Sequence, residues 1–527
     1  MEKIAAGDLA GARMGNVRKW SRALGVLAAV AGAALVAAGA SAGSAAAGGT
    51  LTIATPGAPN GFDPAAGSST QTSYTTWAYD PLIVQEPNGT FAPGLALSWK
   101  YGERNKTFSM KLRPGVRFSD GTPFNAQALK TWLEYTATVA GGGAQAYIRG
   151  LTKIAVTGPL AVTLTFNTPT PLLPLIFSQI FTVGMPASPK AVAAKSLATT
   201  TDGAGEYELD SSQSVPGDHY TYVPNPYYWN KAAVHWKRVV VKVISNPSTV
   251  IAAMRTGQIQ AAIDQPVSSV ASAKSAGLKA ATPLVLMMTL VLADRNGALA
   301  KPLADPRVRQ ALNYAVDRAA VAKALGAGYG VPIDQMAVPG DDGYNPALKN
   351  AYPYNPAKAK QLLAEAGYPN GFSFSAIATP IVGLDTLGQA LVGQFAKVGV
   401  TMNLDIKDPG SFGGGVAGAQ YPAFTVSWGR LPSPVQYGLL WGPYRSFGNP
   451  FQTTDSAISK LYYRMIAAPP KHEQVLAQET QKVLVQQAWF VPVFASPLVV
   501  LYSPKITGVN ATPQRDVYYA PELRPAG

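Results

Sequence analysis

The 527-residue chain contains no cysteine. That absence removes a disulfide scaffold, a thiolate zinc site, an iron–sulfur cluster and a cysteine nucleophile together. It also removes any lipid-modified N-terminal cysteine. Histidine is scarce: His219, His235 and His472 are the whole set, and their spacing fits no metal site. Charge is sparse at 14%, against a norm of about 25%. With 47% hydrophobic residues this is not a disordered composition. Acids are the scarcer sign, 29 against 43 Lys and Arg, for a formal net charge of +14. No long basic run and no aromatic-plus-basic repeat accompanies that excess, so nucleic acid is not the expected partner. A diffuse positive surface is expected instead, one that can favour anionic ligands.

Long apolar runs are also missing. The uncharged stretch Ala23–Ala38 is shorter than the ~20 residues a membrane span needs. Arg13, Arg18, Lys19 and Arg22 precede it, and Ala40-Ser41-Ala42 follows as a small-x-small cleavage pattern. Residues 1–42 therefore read as a secretory signal peptide, with Ala47 as an alternative cleavage point and Met14 as an alternative start. Without a cysteine near the cleavage site, the exported chain is expected to diffuse freely in a periplasm.

What is present suggests many short elements. Gly 51 and Pro 43 are high, and length alone allows about three domains at roughly 150 residues each. Strands are expected at Thr50–Thr55, Thr107–Leu112, Ile154–Thr157, Ala161–Phe166, Val239–Ile244 and Val400–Ile406. Asn125 can cap a helix from Ala126 to about Thr138. Asp305-Pro306 and Asn355-Pro356 each place a capping side chain before a proline at the first helical position. The first pattern, Val308 to Ala319, runs as one helix toward Gly326; the second ends at Gly367. Leu387–Lys397, Ser456–Ala467 and His472–Gln487 complete the helices. Trp489–Phe494 reads as a buried strand with Pro492 at an edge or end. Helices interleaved with strands indicate α/β layers. Gly141–Gly143 and Gly413–Gly415 read as loops.

Searches for chemistry mostly fail. Gly39-Ala-Ser41-Ala-Gly43 fits a nucleophile elbow only inside the signal peptide end. Gly413 to Gly418 fits G-x-G-x-x-G, but no acid follows at the spacing a dinucleotide site requires. No carboxylate pair stands out. With 9 Trp, 24 Tyr and 17 Phe, binding in an aromatic-lined cleft is a better expectation than catalysis, although many aromatics serve a core.

Several blocks resemble the peptide/nickel class (family 5) of extracellular solute-binding proteins, which serve ATP-driven (ABC) importers. They are Tyr79-Asp-Pro-Leu-Ile-Val, Ala92 to Trp99, Phe108 to Phe124, Asn225-Pro-Tyr-Tyr-Trp229, Met254 to Gln258, Asp305 to Arg318 and Tyr354 to Tyr368. The resemblance implies an α/β, two-lobed periplasmic binding protein fold (type II, cluster C) with an extra domain inserted in lobe I. Lobe I would take 48–85, 190–287 and 490–527, the extra domain 86–189, and lobe II 288–489. It implies a small-molecule or peptide ligand, permease subunits with a cytoplasmic ATPase as partners, a monomer, no cofactor and no metal.

Family peptide binders carry an aspartate after a Gly-Trp element, which pairs with the peptide α-amine. Trp428 is similar to that tryptophan, but Gly429-Arg430-Leu431-Pro432-Ser433-Pro434 follows without an acid. An unpaired buried ammonium would cost several kcal/mol, whereas an arginine fork suits a carboxylate or phosphate. The expected ligand-binding residues are therefore Trp428, Arg430, Tyr437 and Trp441, with Asn296 as a match to a family asparagine near the cleft. The expected cargo is a peptide or peptide-like solute. The alternative is an anionic solute such as an opine, a modified amino acid or a sugar acid. An exported hydrolase is a distant third, because no nucleophile–base pair appears.

Overall fold

The computed structural model describes residues 49–66, 72–139, 148, 150–441, 447–512, 515 and 519–526. For residues 409, 410, 439, 441, 470 and 520 it describes the backbone alone. The expected signal peptide and the Gly141–Gly143 loop lie outside the described residues.

Alternating Leu51 and Ile53 give the strand Thr50–Thr55 a buried face. It pairs in parallel with Arg238–Val243 on one side and Ala261–Ala262 on the other. Around this centre a first, seven-stranded sheet runs Lys279–Ala281, Val500–Tyr502, Ala261–Ala262, Thr50–Thr55, Arg238–Val243, His219–Pro224, Tyr207–Leu209. The second, six-stranded sheet is centred on Leu284–Leu292, an apolar run broken only by Thr289 and flanked by strands on both edges. Its order is Val331–Pro332, Phe490–Pro497, Leu284–Leu292, Ala423–Gly429, Phe372–Ala378, Val400–Ile406. A third, antiparallel sheet joins Ala96–Gly102, Thr107–Leu112, Ala161–Phe166 and Leu151–Gly158. Its inward residues Phe108, Met110, Val162 and Leu164 share one core with Leu51, Ile53 and Trp77 of the first sheet region. The second sheet packs its own cores, one around Leu290, Leu312 and Leu391 and another around Val291, Phe424 and Met465.

The chain crosses between the first and second sheets twice, at 282–283 and 498–499. The two crossings touch: Leu284 lies opposite Pro497, and Leu498 N–H donates to Pro283 C=O at 3.0 Å. The strand Phe490–Pro497 belongs to the second sheet by its pairing with Leu284–Leu292. That moves the expected boundary at 490 to the crossing at 498.

Helix starts follow the sequence. Asn125, Asp305 and Asn355 each accept a backbone N–H at the start of their helix. Pro492 sits where an edge is expected: Val331–Pro332 pairs only with Phe494 and Ala495, so among the described residues no strand faces Pro492 on that side, where its C=O accepts from Arg318 Nε at 2.8 Å. Two expectations differ. The run after Asp305 is two helices, Pro306–Tyr314 and Arg318–Leu325, because Asp317 caps a second start through Ala320 N–H. The Gly413–Gly415 run lies inside a helix, Pro409–Ala417, where Gly415 lies tight against Ile377 and Tyr421. Packing overrides the poor helix propensity of glycine there.

The block Asp305–Arg318 proves to be scaffold. Arg309 and Arg318 are buried, and their guanidinium groups donate to the carbonyls of Leu303, Gln487, Pro492 and Tyr352. Among the described residues no helix is long and apolar enough to cross a membrane.

Candidate functional site

Register places the candidate residues. The strand Ala423–Gly429 runs antiparallel to Leu284–Leu292, with Ala423 opposite Leu292 and Gly429 opposite Leu286. Trp428 and Arg430 are thereby carried to the end of the second sheet where the chain crosses over. Asn296 lies past Leu292, in an exposed turn at the other end of a nine-residue strand. That is about 30 Å away at ~3.3 Å per residue, so the structure does not bring Asn296 to this group.

Trp428 is half-buried. Its ring meets Phe447 edge to face at 5.8 Å, and it packs on the cluster of Met287, Val338 and Ala495. Its indole Nε1–H is shielded and has no hydrogen-bond partner among the described residues. An unpaired buried donor of this kind costs free energy.

Arg430 is nearly buried, at 8% side-chain exposure, and it is paired. Its Nε and Nη2 both donate to Asp341 Oδ1. Asp341 also accepts the Val338 N–H at 2.7 Å. Burial pushes the Asp341 carboxyl up, and the Arg430 charge partly opposes that. The next acid, Asp342, accepts from Ser433 N–H at 2.9 Å and Ser433 Oγ–H at 2.8 Å. It thus caps the helix Ser433–Trp441 from outside. Gly343 permits this approach, since a Cβ there would lie 2.6 Å from Ser433 Oγ. Leu431 and Val435 pack against the core of the first and third sheets. The segment that begins at Trp428 therefore reaches from the second sheet toward the first.

Tyr437 belongs to the second sheet's core. It is fully buried, and its hydroxyl donates to Ala477 C=O at 2.9 Å. Trp441 ends the same helix, and its side chain lies outside the described residues. Glu473, near the start of Pro470–Gln487, faces the same region. Burial, then the Asp342 charge, raises its carboxyl to about 7. The Glu473 charge in turn acts on Tyr101 of the third sheet.

Asp341, Asp342 and Glu473 were not singled out from the sequence. The turn Gly340-Asp-Asp-Gly343 is legible as a turn, but its partner Arg430 lies 89 residues away. Among the described residues no group of three acids or histidines is placed to hold a metal. A depression of about 780 Å³ runs along the outer strand Val400–Ile406, lined by Asn403, Asp405 and Tyr421. It is open, and two strands removed from Trp428.

The model of the family "Bacterial extracellular solute-binding proteins, family 5 Middle" matches residues 90–448. The glutathione-binding protein GsiB of Escherichia coli K12 is 26% identical over 431 residues, covering 79% of this chain and 82% of that protein. The GsiB of Salmonella typhimurium is 27% identical over 436 residues, with the same coverage. Among solved structures, the periplasmic binding protein AgaA from A. tumefaciens R10, in complex with agropinic acid, superposes with a TM-score of 0.81 at 22% identity. That match covers 91% of this chain and 99% of AgaA. The DppA of Helicobacter pylori, in complex with peptide STSA, gives 0.79 at 21% identity over the same shares.

Proposed function

This chain belongs to the bacterial extracellular solute-binding proteins of family 5, and from that premise we propose that the solute it captures is a peptide or peptide-like molecule. The receptor role in an ABC importer is that of the family, and the fold is that of two-lobed periplasmic binding proteins. The observation that carries the choice of solute is the Arg430–Asp341 pair. A bare guanidinium would favour an anion. A guanidinium already engaged by a carboxylate offers a neutral wall with donors and acceptors, beside the half-buried Trp428 ring. That mixture suits the alternating carbonyls and amides of a peptide. GsiB is named for glutathione and DppA is bound to a peptide, which supports the same reading.

The second reading, an anionic solute, rests on the excess of Lys and Arg over Asp and Glu and on AgaA, bound to agropinic acid. The lobes follow the sheets in our reading, meeting at the 282–283 and 498–499 crossings, with the third sheet as the insert of lobe I. Trp428 and the Arg430–Asp341 pair form the lobe II wall. Closure about the hinge excludes water and strengthens each polar contact. The protein acts by binding rather than catalysis. It works as a periplasmic monomer, exported by a cleaved signal, and docks on its permease.

Thermal unfolding of the purified mature protein tests the solute class. A ligand at 100 times its Kd adds about 2.7 kcal/mol of stability. Glutathione and free tripeptides should raise Tm, and agropinic or mannopinic acid should not. The reverse pattern would replace the peptide reading with the anionic one.

A further inference from the structure

The second sheet leaves large apolar side chains uncovered at the end where Trp428 lies. Phe372–Ala378 runs parallel to both Ala423–Gly429 and Val400–Ile406, with Ile377 opposite Phe424 and Ala378 opposite Ile406. The helix Leu384–Ala396, which follows Phe372–Ala378, packs in the core of Leu290 and Leu391. The helix Pro409–Ala417, which follows Val400–Ile406, packs through Phe412 in the other core, with Val291 and Phe424. Successive connections thus leave opposite faces of the sheet. In an open α/β sheet the ligand crevice lies beyond the strand ends where such connections part. The pairing of Ile377 with Phe424 sets Ala378 level with Thr425, so the loop after Ala378 opens beside Trp428.

Two groups at that end are apolar and open. Pro380, Ile381 and Val382 form the tip of the loop, and Ile381 and Val382 are 44% and 52% exposed. Val382 is left-handed, with φ 45°, a region that a β-branched residue enters only as an outlier. Backbone strain of this kind clusters at ligand clamps. The second group is Phe447, 39% exposed. Its ring stands 5.4 Å from that of Phe424, 6.2 Å from Phe412 and 5.8 Å from Trp428. Phe424 and Phe412 are buried, so they hold Phe447 against the Trp428 ring. Leu431 and Val435, just past Trp428, already pack on the core of the first and third sheets. That approach leaves Ile381, Val382 and Phe447 uncovered. An open apolar surface continuous with an aromatic wall at a crevice is the lining a ligand site uses.

We propose that Ile381, Val382 and Phe447 form a seat for a bulky apolar side chain of the captured solute, so that this receptor selects apolar peptides. This rests on the peptide reading of the preceding subsection and names the class of peptide. The Arg430–Asp341 pair meets the peptide groups, and the seat beside Trp428 reads the side chain. The tip Thr379 to Leu384 carries no charge. An ionic side chain brought there would be desolvated with no partner from the tip, whereas an aliphatic or aromatic one gains by leaving water.

The test uses the mature protein and a double variant, Ile381→Ser with Val382→Asn. Both side chains are exposed, and asparagine tolerates the left-handed φ, so the variant should fold. Titration calorimetry is run with trialanine and trileucine. The wild type should bind trileucine at least about tenfold more tightly than trialanine, the scale of burying one leucine side chain. In the double variant only Phe447 remains of the seat, and that ratio should fall below about threefold. A wild-type ratio near one would overturn the seat and leave the peptide reading standing. A ratio that the double variant keeps would overturn it too. With both affinities unchanged, the tip would meet a partner such as the permease rather than the solute. With both weakened alike, the tip would be merely structural. If neither peptide binds the wild type, the peptide reading falls and this proposal falls with it. Ile381→Ser alone stands in should the double variant fail to fold.

Discussion

At the scale of single residues, the exchange between Arg430 and Asp341 matters most. Arg430 stands where the resemblance sets an aspartate, yet a carboxylate is present after all, supplied by a turn 89 residues away. The pair is largely desolvated, with side-chain exposures of 8% and 13%. Removing one partner of such a pair strands the other, at a cost of about 3–5 kcal/mol. Arg430→Ala should therefore destabilise the protein strongly, and Arg430→Ala with Asp341→Ala together should restore most of the loss. Urea unfolding of the four members of that cycle measures the coupling. A single mutant as stable as the wild type would mean the pair is solvated. The three charges Asp341, Asp342 and Arg430 were each visible in the sequence, but nothing local announces which of them meet.

At the scale of elements, local rules worked wherever the deciding contact is local. Asn125, Asp305 and Asn355 cap helices because the capping side chain reaches a backbone N–H two or three residues on. They fail where a neighbour decides. The glycine run 413–415 reads as a loop by propensity, but it is helical against the second sheet. A Cβ on Gly413 or Gly414 would meet nothing within 4 Å, whereas one on Gly415 would lie 3.0 Å from Ile377 Cδ1. Gly413→Ala and Gly414→Ala should each stabilise by about 0.5–1 kcal/mol. Gly415→Ala should gain less or lose. Thermal unfolding of the three variants separates the propensity term from the packing term, and three equal gains would contradict the close approach.

At the scale of the whole molecule, buried carboxyls set how stability varies with pH. Burial raises Asp80 to about 7, against hydrogen bonds from Trp229 and Tyr228 that lower it. Burial, then the Asp342 charge, raises Glu473 to about 7. Burial, then the Asp80 charge, pushes Glu206 well up. Each folded carboxyl holds its proton more tightly than the unfolded chain does, where ordinary values are 3.8 and 4.5. Between those values and about 7, the unfolded state binds fewer protons, so stability falls as pH rises. Below about 4 that contribution is fully retained. Urea midpoints should decline from pH 5 to pH 7, and Asp80→Asn and Glu473→Gln should each flatten the decline. A midpoint that rises over this range would show these groups ionised in the folded protein.

The sequence by itself determined most helix starts, the α/β class and the family, because caps, periodicity and signature turns act over a few residues. It also carried Trp428 as a candidate for the binding wall. What only tertiary structure decided is which distant groups meet. The Arg430–Asp341 pair, the register shift beside Pro492 and the crossing at 498–499 all arise from strand register and long-range packing. Of the missing things noted at the outset, scarce charge proved the most informative. Where acids are few, the acids that approach the wall stand out, and what each one faces is settled only when the sheets are assembled.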